Sequence, residues 1–458
     1  MLTSAQSLLR AVISRESHAE DEKQQVESRR AGPGDAPGPG GLRCSECGQR
    51  RRVRPHQRRD DQRGAGRRAP APGPARRVHP GHRHHRELGE HRLGQPADQD
   101  LGRAAANTYF ADATNVDWSR VGQLGKLGWF QPMEDFVDTG AMKDDVPQLA
   151  SFTSDGHVVG VPYDASFMVT TVNKDLFEKA GVTEMPTTID DYTQALRTVK
   201  GKGVSENPLN IPFAAAEGLS TYWYETTAAF GGTVLDTQGN PQFSTPDSAG
   251  YKAAQWMVDA LKEGLVPKGN INVTDSQGQQ TLMAQGSVAS TFSDYSGTVD
   301  TIYDVKESSK VAGDVAYLPT PGVDGPVANL SNPDAVGIPK QAKYPEAAAK
   351  FIDWFTSVET QSAFAGLDGP DKIYTAYPLP SHVSAVSKMV DAGKLSGGEE
   401  LVTMLENSKP VFEGGAPTWY PKFSNAVYTS LHAAATGSMT VEQAVATMAK
   451  TAQDLAKS

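Results

Sequence analysis

Hydrophobic and polar positions follow two regimes that meet near residue 104. Through 31–103 no apolar period of 2 or 3.6 runs, and stretches such as Ala31-Gly32-Pro33-Gly34 and His82-Arg83-His84-His85-Arg86 take its place. Beyond that point apolar runs recur between turn residues. Thr108-Tyr109-Phe110-Ala111-Asp112 predicts a short buried strand ending in an acid, and 121–130 a short helix and turn. Strands are predicted over 158–164 and over 168–173, the second rich in β-branched residues. Asn173 caps a helix over 174–180 that Gly181 ends. Thr245, with Pro246 at the first helical position, opens a helix running through Trp256 and Leu261 to Gly264. Pro345 opens another through Phe351, Ile352 and Phe355. Thr440 and Gln443 form a capping box ahead of Val441, Val445, Met448, Ala452 and Leu455, one apolar helical face. Strands alternating with helices over this length predict an α/β protein with mostly parallel sheets.

At 458 residues the chain is long enough for two or three domains. No stretch approaches eighteen consecutive apolar residues, so no transmembrane helix is expected. The opening Met1-Leu2-Thr3-Ser4-Ala5-Gln6-Ser7-Leu8-Leu9-Arg10 meets charge too soon for a signal peptide. The net charge of −10 conceals an opposition. Residues 1–103 hold 20 arginines, one lysine and 13 acids, whereas 104–458 hold 2 arginines, 21 lysines and 41 acids.

Three readings of 1–103 follow. It is a basic disordered arm for nucleic acid or anionic lipid, or a metal site on Cys44-Ser45-Glu46-Cys47, or out-of-frame translation of a GC-rich gene. The switch from arginine to lysine favours the last, a disordered basic segment produced by a frameshift near residue 104. No cysteine follows Cys47, which suits an exported chain without disulfides.

The ordered region carries no G-x-S-x-G elbow, P-loop, H-E-x-x-H or clustered His/Cys ligands. Its three histidines, His157, His382 and His432, are widely separated. No catalytic residue, metal or cofactor is therefore assigned. Aromatic residues instead gather near predicted loops. Tyr222-Trp223-Tyr224 precedes a helix ending at Gly231-Gly232, Asp294-Tyr295 follows a strand over 287–292, and Trp419-Tyr420 sits in a Pro/Gly-rich loop. Flat rings beside carboxylates and amides suit carbohydrate, whose apolar face packs on the ring while Asp and Asn meet its hydroxyls. Core filling is the alternative for any one ring.

The order of short motifs sharpens this. Pro162 to Gly181 with Asn173-Lys174-Asp175-Leu176-Phe177, followed by Met185-Pro186-Thr187-Thr188-Ile189-Asp190-Asp191-Tyr192, resembles the hinge-crossing segment of the maltose/oligosaccharide-type solute-binding proteins of ABC importers, family 1. Phe230-Gly231-Gly232, Phe243-Ser244-Thr245-Pro246-Asp247, Met283 to Ala289, Val336-Gly337-Ile338-Pro339-Lys340 and Ala347 to Gln361 resemble later motifs of that family, in its order. One departure is Ser331-Asn332-Pro333-Asp334, where many members carry an aromatic residue.

The resemblance implies an α/β, two-lobe, periplasmic-binding-protein-like fold (type II) with hinge crossovers, its N-terminal lobe incomplete. The expected lobes are 104–166 with 320–372, and 167–319 with 373–458. It implies non-catalytic binding of a sugar or oligosaccharide for an ABC importer's permease subunits. The expected location is the periplasm or the extracellular face of the bacterial membrane, with no nucleic acid partner. Membrane attachment would run only through a lipid anchor missing from this sequence. Polar contacts fall to Asp112, Asn115, Asp164, Asp294, Asn332 and Asp334, and stacking to Trp118, Trp223, Tyr224, Tyr295, Trp419 and Tyr420. Asp164, Tyr295 and Trp223 follow the family pattern best. A carboxylate-dependent glycosidase, or a polyamine- or peptide-binding protein of the same fold, are the alternatives.

Overall fold

The computed structural model describes residues 108–275, 277–365, 379–413 and 415–457. The expected basic arm, with Cys44 and Cys47, lies outside them. Two sheets organise the described chain. In the first, Thr114–Asp117 and Val161–Pro162 flank Asp334–Gly337, both antiparallel. Both faces of this sheet are buried. Ala335 faces Val116, Val121 and Phe152, while Val336, one residue on, faces Met133, Ile352 and Phe355. That is the period-2 alternation of a strand covered on two sides. Helices Pro345–Thr356 and Val358–Phe364 follow the central strand; Pro345 sits at the start of the first, and Ser357 caps the second by accepting from Thr360 N.

The second sheet runs Leu209–Asn210, Ser290–Tyr295, Met168–Asn173, Val315–Leu318. Val172 and Leu318 face a core with helices Ile189–Gly201, Glu217–Ala229, Ala249–Lys262, Tyr420–Ala435 and Val441–Ala456. Val169 and Tyr317 face a separate core built with Met283, Tyr303, Met389 and Leu405. Asn173 caps its helix by accepting from Leu176 N, and the capping box of Thr440 and Gln443 is present.

The chain crosses between the sheets at 163–167 and 331–334. Tyr163 N donates to Asp334 O at 3.1 Å, Asn332 N to Ser166 O at 3.0 Å, and Phe167 bridges Ser331. The segment that re-enters at Leu379 docks on the same crossing, Ala165 N donating to Leu379 O at 2.8 Å.

Several expectations are revised. Among the described residues the first strand is Thr114–Asp117, and 108–112 is irregular backbone and bend; Tyr109 there is exposed. The described ladders are mainly antiparallel, because Met168–Asn173 arrives from the other lobe and runs against both of its neighbours. Leu209–Asn210 with Ser290–Tyr295 is parallel, as is the short Lys409–Pro410 with Leu330–Ser331. Thr245 only starts a turn, and the helix begins at Ala249. The predicted strand over 287–292 lies at Ser290–Tyr295. Tyr222, Trp223 and Tyr224 lie inside helix Glu217–Ala229 rather than before it. Residues 320–331 pack on the second lobe: Thr320 Oγ1 and Leu330 N both donate to the Glu225 carboxylate, at 2.8 and 3.0 Å.

Candidate functional site

One wall of the site is built where the crossing strands meet. Asp117 ends the edge strand and accepts from Ser119 N at 2.8 Å, which caps the tight turn Trp118–Arg120. In antiparallel register Asp117 stands opposite Asp334, a like-charge pair that costs stability unless something compensates it. Asn115, two residues back and therefore on the same side, donates to Asp334 Oδ1 at 3.4 Å and accepts from Tyr163 OH at 3.1 Å. The buried Asp164 accepts from Ser166 N at 3.2 Å and Asp334 N at 3.1 Å. Burial pushes the Asp164 carboxyl above the usual range; its two backbone donors pull it down, and the Asp117 charge adds to the rise. Asp334 is raised by burial and then by Asp164 and Asp117.

The opposite wall belongs to the second lobe. Helix Glu217–Ala229 begins without a side-chain cap, and two acids stand at its positive end, Glu217 and Asp275. Asp275 packs so closely on Gly218 that a Cβ there would lie 2.1 Å from its Cγ, so only glycine fits. Tyr295 OH donates to Asp275 Oδ2 at 2.7 Å. Glu217 accepts from Tyr420 OH and, at 2.7 Å, from Ser424 Oγ. Burial raises the Glu217 carboxyl, those two donors lower it, Asp117 raises it and Arg120 lowers it. Asp117 and Arg120 therefore act across the gap between the lobes. Arg120 is one of only two arginines after residue 103.

Trp118 carries the contact across. Its ring centroid lies 5.4 Å from Tyr420 and 6.3 Å from Phe412, and Tyr224 packs on Phe412 at 5.5 Å. The Tyr224 hydroxyl is buried without a hydrogen-bond partner. Close by, a Cβ on Gly122 would meet Ala416 O at 1.7 Å, so the lobes touch backbone to backbone there.

Of the residues nominated from sequence, Asn115, Asp164 and Asp334 meet at the crossing with Asn332 beside them, and Trp118, Tyr224 and Tyr420 share the aromatic cluster, in which both tyrosines are buried and only Trp118 is partly exposed. Tyr295 reaches the start of helix Glu217–Ala229 through Asp275. Four others hold structure instead. Asp112 accepts from Lys343 N and Tyr344 N, closing a turn. Trp223 is 0% exposed, donates to Gly250 O at 2.9 Å and sits edge-on to Phe243, so no ring face is free for a ligand. Asp294 is buried under donors from Thr171, Tyr303 and Tyr295. Trp419 packs on Phe423 and over Gly239. Asp117, Arg120, Glu217, Asp275 and Phe412 were not nominated. The rarity of arginine after residue 103 was the one signal that could have drawn attention to Arg120.

The profile of the bacterial extracellular solute-binding proteins matches residues 99–362. The chain belongs to this family. A binding protein of Brucella abortus (strain 2308) is 25% identical over 270 residues, 57% of this chain and 63% of the relative. The mannitol-binding protein of Pseudomonas aeruginosa is 27% identical over 254 residues, 51% of this chain and 53% of the relative. This solute-binding protein thus spans little more than half to three fifths of these curated relatives. Among solved structures, maltose-bound MalE3 of T. maritima superposes with a TM-score of 0.67 at 23% identity, covering 79% of this chain and 88% of that one. That likeness carries the fold, a type II periplasmic-binding-protein architecture of two α/β lobes. Among the described residues no helix is long and apolar enough to cross a membrane.

Proposed function

We propose that the protein binds a sugar, polyol or oligosaccharide between its lobes and presents it, unaltered, to the permease subunits of an ABC importer. The observation that carries this reading is the pairing of the half-buried Trp118 with Tyr420 across the cleft, ringed by Asp117, Arg120, Glu217 and Asp334. A ring face for the apolar side of a pyranose, beside acceptors for its hydroxyls, is what such a ligand needs. A polyol-binding relative and a maltose-bound structural neighbour support the same ligand class. Lobe closure is a hinge motion about the crossing segments, and a permease would select the closed form. The site of action is the extracellular face or periplasm, reached with a lipid anchor or other leader.

The test is thermal shift and calorimetry on the full chain against hexoses, hexitols and di- to tetrasaccharides. A ligand at about 100 times its Kd should add about 2.7 kcal/mol of stability. Chromatography of each mixture should return the sugar unchanged. Hydrolysis lost in Glu217→Gln or Asp334→Asn would replace binding by glycosidase chemistry, and no stabilisation by any sugar would remove the reading.

A further inference from the structure

The buried His382 stands at the start of helix Val383–Asp391, in the segment that re-enters at Leu379. Val386 and Met389 of that helix pack in the second lobe with Val169, Met283 and Tyr303. His382 occupies the N-cap position but makes no side-chain capping bond. The cap comes instead from Asp145, 237 residues before His382. Asp145 Oδ1 accepts from Ser384 N and Oδ2 from Ser384 Oγ, both at 2.7 Å, and its backbone O accepts from Val383 N at 2.8 Å. An acid suits the positive end of a helix. This acid belongs to the first lobe, where the neighbouring Val146 and Leu149 pack with Val336 and Ile352.

His382 doubles the tie. Its Nδ1 lies 2.7 Å from Asp145 Oδ2 and its Nε2 lies 2.7 Å from Thr356 O. Burial raises the Asp145 carboxyl, but the bonds from Ser384 and His382 outweigh it and hold the group below its usual range, as an anion. Both partners of the ring therefore only accept, so both ring nitrogens carry hydrogen and the ring is a cation. Thr356 ends helix Pro345–Thr356, whose negative end favours that cation. Beside it Ser381 N donates to Gln361 Oε1 at 2.7 Å and Ser381 Oγ to Pro162 O at 2.9 Å.

These bonds join the lobes on the Val336 face of the first sheet, whereas Trp118 joins them on the Ala335 face. The two joints differ in kind. Charge-assisted hydrogen bonds are directional and weaken steeply when displaced. Ring faces 5.4 Å apart, and the packing of Gly122 on Ala416, part without stranding an ion pair. A hinge turns about its stiffer joint.

We propose that Asp145 and His382 form the fixed pivot of the lobe motion, a contact kept in the open and closed forms while the Trp118 side swings. The inference rests on the lobe closure of the reading above and adds where its axis lies. Both are positioning residues.

The experiment measures two distances by pulsed electron spin resonance on the full chain, with Cys44 and Cys47 changed to Ser. Labels at Lys126→Cys and Lys422→Cys span the Trp118 side, and labels at Lys143→Cys and Lys388→Cys span the pivot, all at exposed positions. Gly122→Ala, which wedges the Trp118 side, should lengthen the first distance and leave the second unchanged. Asp145→Ala should broaden the second, and the Ser384 N–H should exchange about 2- to 30-fold faster, the range of a lost helix cap. Asp145→Asn should restore both, since its amide donates to Nδ1 of a neutral ring that still donates from Nε2, and its oxygen accepts from Ser384 N. The pivot is overturned if Gly122→Ala lengthens both distances together or neither, or if Asp145→Ala leaves the second distance narrow. If Asp145→Ala does not fold, the response to Gly122→Ala decides. No ligand enters these measurements, so their failure leaves the sugar reading standing, and failure of every sugar to bind leaves the pivot standing.

Discussion

Replacing Trp118 by Ala tests whether its ring holds the lobes together. The residue belongs to the first lobe, but its ring packs on Tyr420 and Phe412 of the second, at centroid distances of 5.4 and 6.3 Å. These contacts exist only when the lobes meet. Each aromatic pair contributes about 0.5–1.5 kcal/mol beyond simple burial, so the two together give about 1–3 kcal/mol. Losing that free energy lowers the closed-to-open ratio by about 5- to 150-fold, since 1.4 kcal/mol is a factor of ten. Each lobe keeps its own core, because the first packs around Val336 and Ile352 and the second around Trp223 and Phe292. Single-molecule transfer between dyes at Glu346→Cys and Lys450→Cys, with Cys44 and Cys47 changed to Ser, should shift toward the long distance. Trp118→Tyr should recover most of the short-distance population. An unchanged distance distribution with unchanged sugar affinity refutes the clamp. A stability loss of about 3–5 kcal/mol would instead mark Trp118 as a core ring.

Three further outcomes are expected. Gly122→Ala places a methyl group against Ala416 O, a backbone atom that cannot rotate away; it should open the lobes without changing any charge and weaken sugar binding by about tenfold, or 1.4 kcal/mol, read by calorimetry. Trp223→Ala should cost about 3–5 kcal/mol in urea unfolding, as for a fully buried aromatic residue, while affinity measured on the folded fraction stays within about twofold. Burial pushes the Glu225 carboxyl up to about 8, against its bonds from Leu330 N and Thr320 Oγ1. An unfolded glutamate loses its proton near about 4.3, so between there and about 8 the unfolded chain binds fewer protons and wild-type stability falls as pH rises. Glu225→Gln removes that slope, and its stability relative to wild type should rise from pH 5 to about pH 8 and level off above it; a constant difference would show that Glu225 is charged in the fold.

Local rules were readable where one residue decides. Asn173 and Thr440 cap their helices through their own side-chain oxygens, and Pro345 opens its helix, as read from the sequence. The strand Met168–Asn173 was readable from its β-branched run, because it is buried on both faces and needs no polar alternation. Its direction was not. Antiparallel pairing follows from entering the second sheet out of the first lobe, a property of chain path rather than of residue type. The run 108–112 looked like a strand because its apolar residues suit one, yet a strand also needs a neighbour, and the sequence does not show which edge is free. Thr245 carries a capping hydroxyl and a following proline, but Ser248 Oγ and N both turn back onto its carbonyl and delay the helix to Ala249. Trp223 was misplaced for a similar reason. Three aromatic residues in a row look like a ligand platform, but inside a helix they point in three directions, about 100° apart, and Trp223 points into the core.

The chemistry of the cleft follows from that chain path. Asp117 ends the edge strand of the first sheet, Asp164 leaves that sheet for the second, and Asp334 returns from the second to the first. Asp164 and Asp334 therefore sit where the backbone must bend if the lobes are to move, with Asp117 beside them in the register of the edge strand. Asp164 also bonds both the outgoing chain, at Ser166 N, and the returning chain, at Asp334 N. Neutralising this cluster would change the repulsion between strands that flank the hinge as well as the contact with ligand. Binding and closure then draw on the same residues, so a charge change at Asp117 should alter both affinity and the distribution of lobe distances, whereas a change at the core ring Trp223 should alter neither.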